Sequence, residues 1–79
     1  MTNAEMGVLL SNIPSLVSDI TYQLMGEMGG IPRFSSVFKL VKEDLKSMGY
    51  DYKKLDENEK SIVEEMARDV YDGMKEAGF

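Results

Sequence analysis

The chain has 79 residues, 9 basic and 14 acidic side chains and a formal net charge of −5, with 43% apolar residues and neither Cys nor His. That length holds one small domain, residues 1–79, and excludes a second, and the balance of apolar and charged residues is that of a folded soluble chain. Without Cys or His, disulfides, thiolate and imidazole metal ligands, thiol nucleophiles and the usual neutral-pH acid/base are excluded.

Thr2 and Glu5 have the spacing of a capping box, followed by apolar Met6, Val8, Leu9 and Leu10. The expectation is a short N-terminal helix of about two turns that is interrupted or restarted at Ile13-Pro14, because a proline costs little only at the start of a helix. Residues 1–13 contain Glu5 and no base, unlike the basic start of a signal peptide, and the longest apolar run is Val8-Leu9-Leu10. We therefore expect a cytoplasmic protein that does not span a membrane.

From Ile13 onward, Leu16, Val17, Ile20, Leu24, Met25 and Met28 recur at helical spacing and predict a second helix that stops at Gly29-Gly30. After Pro32, the positions Phe34, Val37, Phe38, Val41, Leu45 and Met48 mark one face of a third helix, with Gly49 as its stop. Residues 50–55 have no clean period and read as a loop with room for one helical turn. Asp56, Glu57 and Glu59 then place acids where a helix start favours them, and Ile62, Val63, Met66, Ala67, Val70 and Met74 carry a last helix to about Glu76. No segment alternates as a strand would. The predicted fold is all-α, a small bundle of three main helices plus the short N-terminal one.

Charge is distributed unevenly. Residues 1–32 carry Glu5, Asp19 and Glu27 and no base, residues 33–50 are locally basic through Arg33, Lys39, Lys42 and Lys46, and the remainder is acidic again. On the last helix, Glu65, Asp69, Asp72 and Glu76 fall within roughly 60° of the circumference at 100° per residue, forming an acidic stripe. It reads either as a solvated face or as a contact surface for a basic protein. Carboxylates on one straight helix cannot surround a metal ion, and no metal or cofactor is expected.

Lys39, Lys42 and Lys46 share one side of the third helix, beside its apolar face. They read first as a solvated face that pairs with Glu43 or with the acidic last helix. A helix-turn-helix recognition helix is the weaker alternative, since phosphate binding draws on many bases and the preceding helix has none, so direct nucleic-acid binding is disfavoured. The second helix has no base and offers Tyr22, Met25 and Met28 as candidates for a homodimer seam. Tyr50 and Tyr52 read as core-edge residues and, flanking Asp51, as candidate partner anchors.

No positioned nucleophile, acid/base pair or phosphate-cradling loop is legible, so no enzyme is expected. The leading expectation is a non-enzymatic acidic protein that binds another protein through a helical surface, as small phage-type inhibitors do when they block a basic or nucleic-acid-binding site. The alternative is a self-associating structural or accessory subunit.

Overall fold

The computed structural model describes residues 1–78 and contains three α-helices and one 3-10 turn, with no strand among the described residues. Helix α1 spans Asn3–Met28, α2 Phe34–Ser47 and α3 Glu57–Glu76, and the 3-10 turn is Tyr52–Lys54.

The start of α1 follows from its capping box: the Glu5 N–H donates to Thr2 Oγ1 and the Thr2 N–H donates to Glu5 Oε1, both at 3.1 Å. Hydrogen bonding to the Thr2 backbone, then to its side chain, holds the Glu5 carboxyl below its ordinary pKa.

The short N-terminal helix is corrected by the structure, because α1 runs unbroken through Ile13 and Pro14. An interior proline costs roughly 3 kcal/mol, since it removes one backbone donor and crowds the preceding turn. Leu9, Ile13, Val17 and Ile20, spaced four, four and three residues apart, are all buried in the core on both sides of that proline. Each such side chain is worth about 1.5–3 kcal/mol when fully buried, so keeping the two halves in phase outweighs the defect. Pro14 itself is exposed, and its ring sits on the solvent side.

Gly29 ends α1 in the left-handed conformation at φ 73°, its N–H donating to the Met25 carbonyl at 2.9 Å. Helix α2 ends in a Schellman arrangement around Gly49 (φ 98°): the Gly49 N–H donates to the Lys46 carbonyl at 3.0 Å and the Tyr50 N–H to the Leu45 carbonyl at 2.8 Å. Asp51 Oδ1 accepts the Lys53 N–H at 3.1 Å and shapes the 3-10 turn. Asp56 and Glu59 form a second capping box at 2.8 and 3.0 Å that starts α3.

Helix α1 is about 39 Å long at 1.5 Å per residue, and the long dimension of the molecule is 39 Å. It packs along both α2 and α3, which touch each other less. The core lies between them, with Val37, Val41 and Leu45 of α2 and Val63, Ala67 and Tyr71 of α3 closing on the α1 stripe. Three residues placed by periodicity on apolar faces are instead exposed: Met28, Met48 and Ile62.

Candidate interaction surfaces

Glu65, Asp69, Asp72 and Glu76 are all exposed. At 100° per residue they centre roughly opposite the buried Val63, Ala67 and Tyr71, on the side of α3 turned away from the core. None of their side chains joins an ion pair or hydrogen bond among the described residues. The nearest base along the helix is diverted. Arg68 lies with its guanidinium 4.3 Å from the centre of the Phe34 ring, a cation–π contact that ties α3 to the start of α2. The stripe thus presents four exposed carboxylates that no ion pair holds, with the Arg68 and Lys75 charges at its edge.

Tyr50 and Tyr52 are half-buried and pack against the core. The Tyr52 ring meets Phe38 edge-on at 5.5 Å, with Lys42 Nζ 5.3 Å and Lys60 Nζ 5.9 Å from its centre. Partial burial raises the Tyr52 phenol above its usual pKa, and the charges of Glu64 and Glu57 push the same way. Those two acids sit on the flank of α3, and Glu64 is roughly 100° around the helix from the stripe, so the tyrosines do not extend the acidic face.

Tyr22 is 53% exposed and Met28 62%, whereas Met25 is half-buried. Tyr22 and Met28 point about 120° apart around α1, so the three candidates form a spiral rather than one compact patch. The outer face of α1 otherwise carries Val8, which is 50% exposed, with Ser11 and Ser15 exposed and Asp19 as a charge.

Lys39, Lys42 and Lys46 pair neither with Glu43 nor with α3 among the described residues. They line a concavity that periodicity does not disclose, because Lys53 joins them only when the 3-10 turn folds back along α2. No group of three or more Asp or Glu among the described residues is placed to hold a metal ion, and no helix is long and apolar enough to cross a membrane. Compared with known proteins, the chain matches no family model, no curated protein and no solved structure.

Proposed function

We propose that this chain is a non-enzymatic binding protein whose α3 stripe, Glu65, Asp69, Asp72 and Glu76, docks on a basic surface of another protein. The observation that carries this reading is the exposure of all four carboxylates without an ion pair among the described residues, on the face opposite the core. Like charges three and four residues apart destabilise a helix by a few tenths of a kcal/mol per pair, and a basic partner relieves that repulsion. Its specific form is an inhibitor that occupies a basic or nucleic-acid-binding site, with the carboxylates standing where phosphates would. Affinity capture with the wild-type chain beside the Asp69→Lys/Asp72→Lys variant tests it. A protein retained by the first and lost by the second supports the reading, and identical captured sets refute it.

A second reading, a homodimer through α1, rests on the exposure of Tyr22 and Met28. A small core also gains from a partner subunit. Sedimentation at increasing concentration is expected to give a rising mass; a monomer into the high-micromolar range removes this reading.

A further inference from the structure

Four of the nine basic residues of this acidic chain converge on one concavity between α2 and the 3-10 turn. Lys39, Lys42 and Lys46 approach along α2 at spacings of three and four residues, and Lys53 approaches from the turn. The cavity measures about 320 Å³, the lower end of the range for small-molecule sites. We propose that it binds a compact polyanion carrying two or more phosphoryl groups.

Three features of the site support this assignment. First, the charge is unspent: no lysine of the four forms an ion pair among the described residues, although Glu43 lies in the same lining. The other carboxylate there, Asp51, already accepts the Lys53 N–H at 3.1 Å. Four ammonium groups against two carboxylates leave the concavity positive on a molecule of net charge −5.

Second, one ammonium is already positioned. Lys42 Nζ lies 5.1 Å from the centre of the Phe38 ring and 5.3 Å from that of Tyr52, and the two rings brace each other edge-on. Aromatic faces hold a cation without neutralising it, and the Tyr52 ring in the lining, backed by buried Phe38, strengthens an anion contact relative to open water. The remaining lysines are flexible point charges that can close over phosphoryl oxygens.

Third, the surroundings select a short ligand. On the α3 side of Tyr52, Glu57 is paired with Lys60 at 3.7 Å, which leaves Glu64 as the carboxylate there without an ion pair. A polyanion that leaves the concavity in that direction gains no further unpaired lysine and meets the Glu64 charge, whereas one confined to it meets the four lysines. Four lysines are also few for a nucleic-acid strand, whose affinity grows with the number of phosphates neutralised.

The test is an amide NMR titration of the full chain with sodium tripolyphosphate at low and high salt, repeated with the Lys46→Glu/Lys53→Glu variant after circular dichroism has verified its helicity. Saturating shifts confined to residues 39–53, with an affinity that falls about tenfold or more in the variant and weakens with salt, are expected. ATP as a second probe separates the sources: tighter binding than tripolyphosphate assigns a nucleotide, equal binding a bare oligophosphate, and both support the site. Absence of saturation overturns the proposal, as do shifts that persist in the variant or spread to Arg33, Lys54 and Lys75. Tighter binding of a single-stranded oligonucleotide at the same residues also overturns it, in favour of a nucleic-acid surface.

Discussion

The Tyr71 hydroxyl of α3 donates a 2.6 Å hydrogen bond to the carbonyl of Pro32, 39 residues away, and both residues are buried. This bond joins α3 to the link between α1 and α2 and so ties all three helices at one end. The Tyr71 ring also meets Phe34 edge-on at 5.5 Å, beside the Arg68 contact.

Replacing Tyr71 with Phe keeps the ring and strands the Pro32 carbonyl without its donor. A buried acceptor left unsatisfied costs about 1–3 kcal/mol. In a domain this small each kcal/mol lowers Tm by roughly 4–8 °C. Thermal and urea denaturation of Tyr71→Phe check this, and an unchanged Tm contradicts it.

Pro14 is an exposed defect inside α1 whose packing role is slight. Pro14→Ala restores a backbone donor for the Leu10 carbonyl, and the expected result is a gain of about 1–3 kcal/mol, less than the full propensity difference because the unfolded chain becomes freer. Denaturant titration measures it. A loss of stability would mean that the proline shapes α1 in a way the core needs.

Tyr52 makes stability sensitive to alkali. Its phenol has a raised pKa in the folded chain, so the folded state holds that proton more tightly than the unfolded one. This contribution is fully present below the ordinary phenol pKa of about 10 and is lost as pH rises through the folded value. Between the ordinary and the raised folded value, stability should fall more steeply in the wild type than in Tyr52→Phe. Parallel slopes would show that another group carries the effect.

What the sequence discloses here is what neighbours along the chain decide. The two capping boxes, Thr2 with Glu5 and Asp56 with Glu59, lie within four residues, and the stops at Gly29 and Gly49 depend on local backbone geometry. Pro14 misleads because its local cost is overridden by burial of Leu9, Ile13 and Val17 against two other helices. Ile62 and Met48 illustrate a second limit: periodicity assigns a side, but only the position of the neighbouring helices decides how far round the covered arc extends. The stripe on α3 is legible because it needs one helix alone. The lysine concavity and the Arg68–Phe34 contact need two elements brought together, and no spacing along the chain encodes that.

The central claim is that the α3 carboxylates guide this chain onto a basic partner. Stopped-flow association of the captured partner with wild type and with Asp69→Lys/Asp72→Lys, at low and at high salt, tests it most directly. Exposed charges aimed at a complementary patch mainly accelerate encounter, and salt screens them within roughly 10 Å at 0.1 M. Reversal of the two aspartates should therefore slow association about tenfold or more at low salt, change dissociation far less, and lose most of its effect at high salt. A variant of intact helicity that associates as fast as wild type at low salt would contradict the claim and leave the stripe as solvated surface.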